Sequence, residues 1–149
     1  MKTKNIKKYK YEGFGFPIEL RNVTMAQIDG EWHPKIDVRR VANTVIKELP
    51  LQKERLTGHQ IKFIRAYFEM SLRDFAQEVV NESHTAVAKW EKFGNKPSNM
   101  DVNIEMMLRL YIIEKTSVVT KKQQQSFFEL YKTLREMELT TEPPSLSVA

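Results

Sequence analysis

The chain of 149 residues contains no cysteine, which excludes disulfides and any thiolate metal site. No uncharged apolar run approaches the ~20 residues that a membrane-spanning helix needs, and the start carries no signal-peptide core. A cytoplasmic location without membrane contact is the resulting expectation. Histidine is scarce: His33, His59 and His84 are the only three, and they fall in different parts of the chain. Neither a His-x-x-x-His pair, nor paired carboxylates, nor a Ser/His/Asp spacing, nor a glycine-rich phosphate loop accompanies them. An enzyme is not expected, nor a cofactor or metal.

What is present suits one domain or a small domain with appendages: 41% of residues are hydrophobic and 29% charged, enough to bury a core. The net charge of +5 is unevenly spread. Residues 1–10 hold five lysines and no acid, residues 50–100 hold eight basic and six acidic side chains, and the remaining stretches are slightly acidic. Residues 1–12 therefore read as a flexible basic arm. Such an arm gains affinity for nucleic acid by counterion release; a Lys-rich terminus serves solubility equally well.

Phe16, Ile18 and Leu20 alternate as in a strand, Val23–Ile28 reads as a second, and Asp29-Gly30 signals a hairpin turn into Glu31–Lys35. Pro34 confines that last strand to an edge. Asp37 is placed to cap a helix with Val38, Val41, Ala42, Val45, Ile46 and Leu49 as its stripe, ending near Pro50. Residues 13–50 are thus a β-hairpin plus helix, a module for a partner or for dimerisation. Thr57 with Gln60 forms a capping box opening a helix to about Glu69. A helix over 102–115 then shows Ile104, Met107, Leu108, Tyr111 and Ile112 on one face. A last helix, within 117–139, carries Phe127, Phe128, Tyr131 and Leu134. The tail 140–149 reads as disordered.

The most informative stretch is SLRDFAQEVVNESHTAVAKWE, Ser71–Glu91. Leu72, Phe75, Ala76, Val79 and Val80 recur at helical spacing, Asn81 suits a left-handed helix end, and Ser83 suits the next N-cap. Two short helices joined by a tight turn are a common device for entering the DNA major groove. With Val87 and Trp90 inward, the second helix offers His84, Thr85 and Lys89 outward. Lys89 is suited to guanine O6 or N7 and the Thr85 methyl to thymine. Ser83 and Thr85 suit phosphate at the helix start, and Arg73, Lys92 and Lys96 suit phosphate neutralisation. Lys62 and Arg65 on the preceding helix are weaker candidates.

Leu56-Thr57-Gly58, Ile61–Arg65, Ser71, Phe75-Ala76, Val87 and Lys89-Trp90-Glu91 together resemble the Xre, or lambda-repressor-like, helix-turn-helix family over roughly residues 55–116. Tyr11–Pro17 and Trp32-x-Pro-x-Ile-Asp37 extend the likeness toward MqsA-type antitoxins and their relatives, though the cysteine-bound zinc found in many of those cannot form here. The sequence departs from the family in its turn, Asn81-Glu82, in Leu72 at a usually polar position, and in a Ser71–Trp90 spacing one residue longer than common. The resemblance implies a mainly α fold. That fold is a five-helix lambda-repressor-like domain at 51–116 with an N-terminal β-hairpin-plus-helix module and a C-terminal helix.

The expected function is sequence-specific binding of double-stranded DNA by a homodimeric repressor on a pseudo-palindromic operator. The antitoxin of a type II toxin–antitoxin pair, with a cognate toxin as partner, is the form the resemblance favours. A stand-alone regulator and a helical protein-interaction module without DNA binding are the alternatives. Phe127, Phe128, Tyr131 and Leu134 are the candidate dimer seam, or simply a cap on the core.

Overall fold

The computed structural model describes residues 2–116, 121–136 and 146–148. The chain divides into two compact units, Met1–Val45 with Ser145–Ala149, and Ile46–Pro144.

The first unit is built on a sheet. Strands β1 (Thr3–Tyr11), β2 (Ile18–Ile28) and β3 (Glu31–Lys35) form an antiparallel meander, and β4 (Leu146–Val148) adds in parallel to the start of β2. Asp29 and Gly30, at φ 51° and 81°, close the hairpin, because two positive φ values give the turn whose twist matches the flanking strands. Pro34 stands on an edge strand, where its missing N–H costs no ladder bond.

β2 keeps one apolar face by changing phase midway. Ile18 and Leu20 are buried, and so are Val23 and Met25, an odd step that strict alternation forbids. Asn22 absorbs the step at φ 55°, a left-handed conformation that Asn tolerates. The two strands read from the sequence are therefore one.

Two expectations are corrected here. Residues 3–11 are not a flexible arm but β1, whose Ile6, Tyr9 and Tyr11 pair with Val23, Leu20 and Ile18. Lysine is compatible with such an edge strand because its charge opposes pairing with other chains. Within the expected disordered tail, residues 146–148 form β4; residues 140–145 and 149 lie outside the described residues. Helix α1 (Val38–Glu48) follows the sheet, its start capped by Asp37 Oδ1, which accepts the Arg40 N–H at 3.2 Å.

The second unit is helical. A 3₁₀ turn (Leu49–Leu51) carries Pro50 and precedes α2 (Gly58–Tyr67), opened by the Thr57/Gln60 capping box. α3 (Leu72–Phe75) runs straight into a π-helical turn (Ala76–Val80), then come α4 (His84–Glu91), α5 (Val102–Thr116) and α6 (Lys121–Glu136). Residues 117–120 and 137–139, assigned to the last helical segment from the sequence, lie outside the described residues. Leu56, Ile61, Ile64, Phe75, Val87, Leu108 and Ile112 fill the core.

The fold class is accordingly mixed α/β: six helices plus a sheet among the described residues, in place of a mainly α chain organised as a five-helix domain. The misreading came from β1, whose lysines hide its period, and from β4, which is too short to read alone.

The face of α5 is also turned from its expected position. Glu105 and Arg109 are buried, and Met107 and Leu110 are exposed. Glu105 bridges two guanidiniums: Arg55 Nε at 3.0 Å from Oε1, and Arg109 Nη2 at 2.9 Å from Oε2. Arg109 also donates to the carbonyls of Pro50, Gln52 and Glu54 at 3.1, 2.6 and 2.8 Å, and Arg55 to that of Met100. Burial pulls the Arg109 guanidinium below its ordinary range, with Glu105 opposing that shift. Arg109 is interior because it satisfies carbonyls of the 50–54 connection, and Glu105 because it accepts from both guanidiniums and from the Leu56 N–H.

Candidate nucleic-acid interface

α4 is fixed at both ends. At its start, Ser83 Oγ accepts the Ala86 N–H at 3.1 Å, and the hydroxyl hydrogen stays available to donate. At its end, Arg65 forks onto Glu91 with Nε–Oε2 2.8 Å and Nη2–Oε1 3.0 Å, and its Nη1 donates to the Met70 carbonyl at 3.1 Å. Glu91, through that hydrogen bond first, holds the Arg65 guanidinium above its ordinary range.

Gly58 explains how closely the start of α2 approaches this end. A Cβ there would lie 2.5 Å from the Trp90 carbonyl oxygen and 2.8 Å from that of Glu91, closer than side chains pack. The N–H groups of Gly58 and His59, orphaned at a helix start, donate instead to Lys96 O at 3.2 Å and Gly94 O at 2.8 Å.

The turn before α4 is closed by a widened helix end. Helix α3 widens into the π-helical turn, and the N–H groups of both Asn81 and Glu82 reach the Ala76 carbonyl. Asn81 then takes φ 52°, ψ 48° and turns the chain toward Ser83.

An open groove of about 480 Å³ lies between the end of α3 and the start of α4, lined by Arg73, Gln77, Asn81, Glu82, Ser83 and His84. It brings together three of the residues singled out from the sequence, Arg73, Ser83 and His84. Thr85 and Lys89 are exposed on α4, one turn apart. Lys92, at the C-cap of α4, and Lys96 are exposed beyond its far end and do not line the groove.

Of the other groove residues, Gln77 is not singled out by the sequence, and Asn81 and Glu82 stand there only as turn residues. Gln77, one turn after Arg73 on an exposed face, carries the amide that pairs with adenine; the i, i+4 spacing was the available signal. Glu82 places a carboxylate in the same groove as Arg73 and lowers the groove's attraction for phosphate. Arg65 leaves the list of phosphate candidates, its fork already occupied by Glu91.

Of the candidate dimer seam, Phe127 and Leu134 are buried with Met106, and Leu130 and Tyr131 pack against them. Tyr131 Oη donates to Asn103 Oδ1 at 2.7 Å. Phe128 stands out, 64% exposed.

Among the described residues no group of three or more His, Asp or Glu side chains is placed to hold a metal ion, and no helix is long and apolar enough to cross a membrane. Comparison with protein-family models, with curated proteins and with solved structures finds no match to this chain.

Proposed function

We propose that the chain is a sequence-specific DNA-binding regulator that represses transcription, with α4 as the helix that enters the major groove. The observation that carries this reading is the way α4 is held. The Arg65–Glu91 fork and the Gly58 contact fix its inner side, while Ser83, His84, Thr85 and Lys89 face solvent. A reading helix needs this rigidity, since base discrimination depends on side-chain placement.

One copy offers few base-reading groups, so the reading includes a homodimer on a pseudo-palindromic site with half-sites about one DNA turn, ~34 Å, apart. Exposed Phe128, and Met107 with Leu110 on α5, are the apolar surface such a dimer would cover. The site of action is the cytoplasm, with the DNA.

Anisotropy titration of the full chain against the DNA upstream of its own gene, at low and physiological salt, tests the reading. Saturable, sequence-selective binding that weakens with salt by a log–log slope of about −0.9 per neutralised phosphate is expected. Binding that is sequence-blind, salt-insensitive or absent refutes it.

The resemblance at Tyr11–Pro17 and Trp32–Asp37 favours a second layer, in which the chain is the antitoxin of a type II pair and its separate sheet unit holds the toxin. Co-purification of an adjacent gene's product with the full chain tests it; no co-purification leaves a stand-alone regulator.

A further inference from the structure

One edge of β2 is interrupted. β4 pairs with Ile18–Leu20 and β3 with Thr24–Ile28, so among the described residues nothing on that edge pairs with Arg21, Asn22 or Val23. The left-handed Asn22 sits in this gap. The gap opens into a cavity of about 320 Å³ between the sheet and the first turns of α1, at the small end of the range of ligand pockets.

Its lining has a polar and an apolar part. Arg21, Lys35 and Arg40 bring three cations to it. Two carboxylates are near: Asp37 Oδ1 accepts the Arg40 backbone N–H at 3.2 Å, and Glu19, outside the lining, places Oε1 3.5 Å from Arg21 Nε and 3.9 Å from Lys8 Nζ. Of the lining residues three are cationic and one, Asp37, is anionic, so positive charge is in excess, next to strand peptide groups without a ladder partner on this edge. Leu20, Val23 and Val148 supply a buried apolar floor, with Val41 beside it.

We propose that this cavity binds a small organic carboxylate. Arg40 and Lys35 take the head group, since guanidinium and ammonium form charge-assisted bonds with carboxylate. The apolar body lies against Val23, Val41 and Val148. A carboxylate meets the excess of positive charge, and the apolar floor excludes a ligand that is polar throughout. The site lies wholly within the sheet unit, so it stands or falls separately from the DNA-binding reading.

The test is an amide chemical-shift titration of the full chain with phenylacetate. Saturable shifts at Arg21, Asn22, Val23, Val41 and Val148 are expected, with 2-phenylethanol, the uncharged analogue, binding at least about tenfold more weakly. Arg40→Gln, at an exposed helix-start position, should keep the spectrum of the fold and weaken phenylacetate by about tenfold. No saturable shift up to about 10 mM, equal binding of 2-phenylethanol, or unchanged affinity in Arg40→Gln each overturns the proposal. Tighter binding of phenyl phosphate than of phenylacetate overturns the carboxylate assignment.

Discussion

Arg65 and Glu91 lie 26 residues apart and meet through two parallel hydrogen bonds of 2.8 and 3.0 Å. The pair is mostly buried, with 18% and 11% of the side chains exposed, so solvent screens it little. Arg65→Ala should lower unfolding free energy by roughly 2–4 kcal/mol, as two charge-assisted bonds go and Glu91 is stranded. Arg65→Lys should recover only part, because an ammonium cannot fork. Urea denaturation checks both. The guanidinium is held above its ordinary range, so its contribution is complete at all pH values below that range. No pH dependence from Arg65 is expected near neutrality.

Gly58→Ala puts a methyl group against two backbone carbonyls of α4. Backbone cannot turn aside as a side-chain tip can, so a loss of about 1–3 kcal/mol is expected. DNA affinity should fall further than stability explains, because the displaced element is α4. Thermal unfolding and anisotropy on the same variant separate the two effects.

Glu105→Ala leaves Arg55 and Arg109 buried against each other without their shared carboxylate. The expected loss is about 3–5 kcal/mol, measured by the denaturation midpoint. Arg109→Leu should also be severe, since the carbonyls of Pro50 and Gln52 lose this donor and that of Glu54 keeps only Gln52 Nε2.

Glu69 follows α2 at φ 55°, and the N–H groups of Glu69 and Met70 close the helix onto the carbonyls of Ala66 and Arg65. Glycine adopts that conformation without the Cβ penalty. Glu69→Gly should raise stability by about 0.5–1 kcal/mol; a decrease in melting temperature would falsify this account of the turn.

Glu82→Gln removes the carboxylate from the groove that Arg73 also lines. Under the DNA-binding reading it should tighten binding to all sequences alike. Lys89→Ala should instead relax selectivity at one base pair, at about 1–3 kcal/mol. Arg73→Ala should reduce the salt slope by about one unit. Selection from a randomised DNA pool and salt titration distinguish the three.

The helical half was the more legible part. Thr57/Gln60, Ser71 and Ser83 cap their helices, and Asn81 ends one in the left-handed region, because capping is decided within four residues. Lys-rich β1 was misread as an arm, since its order depends on Ile18, Leu20 and Val23 far along the chain. The face of α5 was misjudged for a related reason. Charge normally marks the solvent side, but Arg109 is buried where it donates to carbonyls of a distant connection, and Glu105 where it accepts from Arg55, Arg109 and the Leu56 N–H.

Of the candidate interface, the outward residues of α4 followed from helical period alone, while Gln77 and Glu82 emerged as its neighbours only through the π-helical turn that aims α3 at α4.

The sequence by itself determined the local events: where helices start and stop, the Asp29-Gly30 hairpin, and the absence of thiol chemistry. Each depends on hydrogen bonds and dihedral preferences spanning a few residues. Tertiary structure alone decided that the N-terminal lysines lie on a strand, that three C-terminal residues complete a sheet, and that two arginines and a glutamate belong inside. Those outcomes depend on partners dozens of residues away, whose burial and hydrogen bonding outweigh local preference.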